Sequence, residues 1–246
     1  MWTIILIVIA VILLTFGLVK LVDKFIPSKF KPVLIIALWL LIAFLAYSTF
    51  QSVYNPILFN QTKEKRFTEV IKSLIDIRDA ELAHRQVTGK FTDNFDNLVK
   101  FIDTAQYVIT QRRDSTVIDE VRSKQFGIDI PMDIVIIDTL GFVPVKDSLF
   151  KSSDRYKTMM NVPIGKPGEK FKLEAGFLED DGVQIPVFQA SVKKEIVLYD
   201  QDKDLIMQEN QVLSSVVGVA GDAITVGSMQ ESSTSGNWSK IYGNNE

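Results

Sequence analysis

The chain has 246 residues, 47% of them hydrophobic, with a formal charge of −3, one histidine and no cysteine. Without cysteine there are no disulfides and no thiolate chemistry. Residues 1–50 carry four Lys and one Asp, so the rest of the chain holds a net −6, which argues against a nucleic-acid partner, whose binding surface would be basic.

The first fifty residues set the class. No charged side chain occurs from Met1 to Val19, and the run Val33–Phe50 is also uncharged, with no charge between Lys31 and Lys63. A bilayer core about 30 Å thick takes roughly 20 apolar residues as a helix. A two-helix transmembrane hairpin over residues 1–54 is therefore predicted, with the lipid bilayer as partner. No Lys or Arg precedes the first run, so it reads as a retained anchor rather than a cleaved signal peptide. The loop between the runs holds Lys20, Lys24, Lys29 and Lys31 against Asp23, while Lys63, Lys65 and Arg66 follow the second run, mixed with Glu64 and Glu69. The positive-inside rule then places the loop in the cytoplasm and the large domain outside it. The spans lack the intramembrane acids and bases of an ion or proton pathway, which counts against a transporter.

Beyond the anchor, residues 55–229 are expected to form an α+β soluble domain, helices first and a mostly antiparallel sheet after, followed by a polar tail at 230–246. Pro56 should end or bend a helix continuing from the second span. Helix resumes over Thr62–Thr88, and Gly89 is its expected stop. Its apolar stripe comprises Phe67, Val70, Ile71, Leu74, Ile75, Ile77 and Leu82. Arg78, Glu81 and Arg85 fall on the same stripe, with Ala80, Ala83 and Val87 on the other side. Two readings follow. Either the core ends near Ile77 and the helix emerges into water, or these three charges form an Arg–Glu–Arg network facing another element or subunit, a role that suits the planar guanidinium fork.

Thr92 or Asp93 is expected to cap a short helix running to Asp103, with Phe95, Leu98 and Ile102 inward. Tyr107–Arg112 reads as a strand, and Ser115–Phe126 as helix or loop. Strands are expected at Ile134–Ile137, Phe142–Val145, Lys170–Leu173, Gln184–Phe188 and Glu195–Tyr199. Pro144 and Pro186 argue for edges or bulges. Glu179, Asp180 and Asp181 before Gly182 look like a hairpin tip rather than an acid/base pair. The stretch Gln230–Asn237 should be extended or loosely ordered.

No motif carries a reaction. His84 has no His cluster and no Ser partner nearby, and reads as an exposed helix residue. Neither a phosphate-binding Gly-x-x-x-x-Gly-Lys loop nor a dinucleotide fingerprint occurs, and Gly218–Asp222 is at most a turn. No catalytic, cofactor-binding or metal-ligating residue is assigned.

Four stretches carry a resemblance: Arg66–Glu81 with Thr88–Phe91, Val145–Phe150, Val187–Val192, and Val226–Trp238. Together they resemble an uncharacterised family of membrane-anchored envelope proteins common in Bacteroidota, over roughly residues 55–238. Ser-Thr-Ser-Gly-Asn-Trp at 233–238 is the most specific element. The resemblance implies an N-terminal hydrophobic anchor, an envelope location and no assigned reaction, and it transfers no functional residues; the anchor itself is expected to sit in the inner membrane. Two spans depart from the single anchor it implies. Ile77–Glu81 followed by Gly89-Lys-Phe is also similar to the helix-then-turn region of pilins and pseudopilins, although the first span lacks their leader and early acidic residue.

The expectation is a non-enzymatic structural or assembly subunit of a bacterial envelope complex, whose partners are copies of itself or other envelope proteins. The alternative is a membrane-anchored hydrolase or ligand-binding module, which a deep polar pocket would favour.

Overall fold

The computed structural model describes residues 9, 13, 15–17, 19, 20, 24, 27, 30–180, 182–216 and 218–243. Two compact units divide the chain, Met1–Leu58 and Phe59–Glu246.

In the first unit, most of the first predicted span lies outside the described residues. One long apolar helix is present rather than a clear two-helix hairpin. This helix, α1 (Lys31–Thr88), is 58 residues long and is the one described helix long and apolar enough to cross a membrane. From Val33 to Leu58 its large apolar side chains are exposed, among them Trp39 at 69% and Leu40 at 68%. A helix apolar all round in this way matches a lipid environment, not water. Pro56 lies inside α1 and does not end it. Proline removes one backbone donor, and helices in lipid tolerate that loss where neighbouring groups compensate.

The second unit is α+β, with helices before antiparallel sheets. Its share of α1 supplies the central apolar stripe, and Phe67, Val70, Ile71, Leu74 and Ile77 are fully buried. Gly89 ends the helix as expected: its φ is +82°, and its N–H donates to the Arg85 carbonyl at 2.8 Å. Helix α2 (Phe95–Thr104) buries Leu98, Phe101 and Ile102. Its cap is Asn94 rather than Thr92 or Asp93, since the Asn94 Oδ1 accepts from Asp96 N and Asn97 N.

Strands β1 (Gln106–Ile118) and β2 (Pro131–Pro144) form a two-stranded antiparallel ribbon. Both outrun their predicted lengths, because the pairing runs on through the charged and hydroxyl residues Arg113–Thr116 and through Asp138 and Thr139. Helix α3 (Glu120–Phe126) sits at the turn, capped by Asp119 and closed by Gly127 at φ +69°. Helix α4 (Val145–Leu149) follows Pro144. A second sheet has the order β3 (Lys172–Asp180), β4 (Val183–Lys193), β5 (Ala223–Gly227). Gly182, at φ +80°, stands in the β3–β4 turn expected there. Pro186 lies in the middle strand, but outside the stretch Gln189–Lys193 that pairs with β5, so β4 is paired on one edge only at that point.

Two expectations are corrected. Glu195–Tyr199 is not a strand. Lys194–Val197 is a single helical turn, α5, closed by Leu198 N donating to the Lys194 carbonyl at 2.9 Å, before α6 (Lys203–Asn210). Tertiary burial of Lys194, Val197 and Leu198 overrides the β preference of Ile196 and Val197. Of the extended or loose order expected for Gln230–Asn237, the loose alternative does not hold. Trp238 is fully buried and bridges Val219, and Gly236 bridges Val226. The Asn237 side chain donates to the carbonyls of Ala220 at 2.6 Å and Ala223 at 2.8 Å, and accepts from Thr225 N at 2.9 Å. A Cβ on Gly236 would lie 2.4 Å from the Trp238 ring. The Gly-Asn-Trp signature is therefore architectural: one residue makes room, the next stitches two segments, and the third fills the core.

Gly227 is the tightest point of the second sheet. Its φ is +75°, and an added Cβ would lie 2.3 Å from the Phe188 carbonyl oxygen. Gly227→Ala is expected to destabilise the second unit by about 3 kcal/mol, combining left-handed strain with overpacking. Urea unfolding of residues 55–246 measures it, and a loss below about 1 kcal/mol would show that the strand relaxes freely.

Candidate functional site

The charged end of the α1 stripe is buried. Arg78 is 6% exposed, Glu81 0% and His84 9%, and Ala80 and Ala83 are buried beside them. The core therefore runs past Ile77 instead of ending there, and it surrounds this turn of the helix on more than one face. His84 is not an exposed residue: its ring meets Phe101 edge-on at 4.8 Å, and its Nδ1–H donates to the Lys90 carbonyl at 2.7 Å.

Among the described residues, Arg78, Glu81 and Arg85 lie close in the helix and are not bonded to one another. The Arg78 Nε donates to Asp79 Oδ1 at 3.1 Å. Arg85 is exposed and stacks its guanidinium over Phe91, 5.2 Å from the ring centroid. Glu81 Oε2 accepts from Thr92 N at 3.1 Å, while Oε1 is buried with no hydrogen-bond partner. Burial pushes the Glu81 carboxyl up to about 8, with the neighbouring Asp93 adding to the rise and the Thr92 N–H opposing it. At neutral pH Glu81 is largely the neutral acid, a way of burying a carboxyl without a cation. It ties α1 to the loop before α2.

The stronger ionic centre lies elsewhere. Lys194 is fully buried, and its Nζ donates to the carbonyls of Glu209 and Val219, both at 2.8 Å. Glu209 Oε1 is 3.3 Å from Lys194 Nζ, and its Oε2 is 2.8 Å from Lys63 Nζ. One carboxylate thus holds two ammonium groups and clamps α1, α5, α6 and the loop before β5. Burial lowers the Lys194 ammonium from its ordinary value, against the pull of Glu209. Nearby, Arg66 grips Asp200 through two parallel hydrogen bonds of 2.6 and 2.8 Å and also donates to the Val197 carbonyl. That grip holds the Asp200 carboxyl down to about 2. Arg155 makes the same fork to Asp76, and Tyr156 donates to Asp103. Each of these joins residues far apart in sequence, so local spacing gave no signal for them. Lys63 and Arg66 were visible in advance only as charges after the second apolar run, without their partners.

These groups are occupied in holding elements together. The cleft beside Arg85 is lined by Phe91, Phe188, Ser232 and Thr234 and includes no carboxylate and no histidine. Among the described residues, no group of three or more His, Asp or Glu is placed to hold a metal ion. The β1–β2 ribbon is the other unusual surface, with Val108, Ile118, Val135, Ile137 and Phe142 exposed. No family model, no curated protein and no solved structure matches this chain.

Proposed function

We propose that the protein is a membrane-anchored, non-enzymatic structural subunit of a bacterial cell-envelope assembly, with copies of itself or other envelope proteins as partners. The observation that carries this reading is a combination in one chain: an apolar helix whose side chains are exposed from Val33 to Leu58, and a folded unit that exposes a long, apolar β ribbon. The first feature suits lipid and the second suits protein partners. The buried ionic groups support the same reading, because each is engaged in linking elements of the fold. In this proposal residues 1–54 make two spans, the lysine-bearing loop is cytoplasmic, and the larger unit lies in the periplasm. The count of four lysines in the loop against three basic residues after the second apolar run supports that orientation.

Two measurements test it. The full-length chain is expected to leave membranes with detergent and to stay in the pellet with alkaline carbonate; release by carbonate would remove the integral anchor. A cysteine placed at the exposed Ser232 is expected to react in intact cells with a thiol reagent confined to the periplasm. Reaction only after the inner membrane is broken would reverse the orientation.

A further inference from the structure

We propose that the free edge of β1 is a self-association surface: two copies of the chain pair their β1 strands antiparallel, about a two-fold axis at Arg113, into one four-stranded sheet with β2 on each outer side. This deepens the assembly reading by naming the partner as a second copy and the surface as one strand edge, and it rests on that reading.

A two-stranded ribbon is marginal in water by itself; three or more strands over an apolar face are the usual requirement. This ribbon carries apolar side chains on both faces. Val108, Ile118, Val135, Ile137 and Phe142 share one face, and Ile109, Val117, Met132, Ile134 and Ile136 share the other. The unbroken run Ile134–Ile137 is the pattern of a strand meant to be covered on both sides.

Its two edges are built differently. β2 begins at Pro131, ends at Pro144, and has one residue more than β1 between the Gly141 and Thr139 pairings, a bulge at Leu140. Terminal prolines and bulges are the devices that keep an edge from pairing. β1 has neither. Its 13 residues include no Pro, no Gly and no Lys, and from Val108 to Asp114 every one is exposed.

The register follows from symmetry. A two-fold axis perpendicular to a sheet matches residues that share a face, so each possible register is centred on one residue. With Arg113 at the centre, Arg112 lies opposite the partner's Asp114, and the same pair repeats across the axis. Thr110 meets the partner's Thr116, Ile109 the partner's Val117, and Val108 the partner's Ile118. Arg113 meets its own copy, but its charge is already held by Asp138 within the chain, 3.0 Å away. Moving the centre to Asp114 opposes two carboxylates and sets Thr110 against Ile118. Moving it to Arg112 opposes two arginines and sets Ile109 against Ser115. Only the Arg113 centre joins opposite charges and matches apolar with apolar.

The absence of native cysteine makes the test direct. Arg113→Cys in the full-length chain, in its own membranes, puts two thiols on the axis, where directly opposed Cβ atoms are about 4.5–5.5 Å apart, close to disulfide range. Mild oxidation is expected to convert most of the chain to a disulfide dimer. Thr139→Cys, on β2 of the same ribbon, is expected to give none. Adding Asp114→Arg to Arg113→Cys sets a cation against the partner's Arg112 and is expected to cut the cross-link at least tenfold; adding Arg112→Asp as well is expected to restore it. No dimer from Arg113→Cys, equal dimer from Thr139→Cys, or no loss and rescue on charge exchange each overturns the pairing. The mass of the gently extracted wild-type chain separates the two claims. An oligomer without the cross-link at 113 defeats the β1 register and leaves the assembly reading standing, whereas a lone monomer that binds no envelope protein defeats both.

Discussion

Glu81→Gln is expected to make the second unit more stable at pH 8 and to remove most of its loss of stability between about pH 4.5 and 8. The carboxyl is wholly buried, has one oxygen without a partner, and is raised to about 8. Because the folded value lies above the unfolded one, the folded state holds a proton that the unfolded state releases. Stability is therefore greatest below about pH 4.5 and falls as pH rises to about 8, at up to about 1.4 kcal/mol per pH unit. Glutamine keeps the shape and the bond from Thr92 N but puts an amide N–H where Oε1 now lies, costing roughly 1–3 kcal/mol of unsatisfied donor. A net gain of about 2 kcal/mol at pH 8 remains. Urea unfolding of residues 55–246 at pH 5 and pH 8 reads both terms. A wild-type stability that does not fall between those values, or a glutamine variant with the same slope, would show that Glu81 is solvated or finds a cation.

Glu209→Ala is expected to be the most damaging single change, at about 3–5 kcal/mol, the range for breaking a buried ion pair. It removes the one carboxylate bonded to Lys194 and Lys63 among the described residues, leaving a buried ammonium beside a second cation. The diagnostic result is the double variant. Lys194→Met added to Glu209→Ala removes the stranded charge, so the pair is expected to be more stable than Glu209→Ala alone. Equal or additive losses in the cycle would mean that the two residues do not interact across the core. The effect belongs to the fold and not to a reaction, so the association of copies should fail only where the unit unfolds.

Much of the fold could be read in advance because its signals are local. The uncharged run from Val33 to Phe50, the stripe from Phe67 to Ile77, the stop at Gly89 and the turn at Gly182 each depend on residues a few positions apart. What escaped depends on distant partners. Nothing near Lys194 indicates that its ammonium will be sealed under α6, because Glu209 and Val219 are supplied by later segments. His84 looked exposed for the same reason: the Phe101 ring and the Lys90 carbonyl that enclose it come from the next loop and helix. The Ser- and Thr-rich stretch before Trp238 left extended and loose order both open on composition. Short polar side chains bond backbone groups, so they can fix a segment as firmly as they can leave it loose. Of the charges read onto the stripe, Arg78 and Glu81 are buried and Arg85 is exposed, because periodicity carries no information about which neighbours each would meet.

The late position of Trp238 and Tyr242 has a consequence for biosynthesis. The Tyr242 ring packs 6.0 Å from that of Phe67, the residue that opens the buried stripe of α1. In a chain made from its N-terminus, the apolar helix can enter the bilayer long before the segment that closes this core has left the ribosome. Phe67 is thereby without its Tyr242 partner until residue 242 has been made. Contacts so distant in sequence slow the closing step and leave apolar surface exposed in the meantime. A holdase chaperone has its natural point of action in that interval, and a ribosome stalled before Trp238 leaves a tethered, unfolded chain as a substrate for membrane-bound proteolysis.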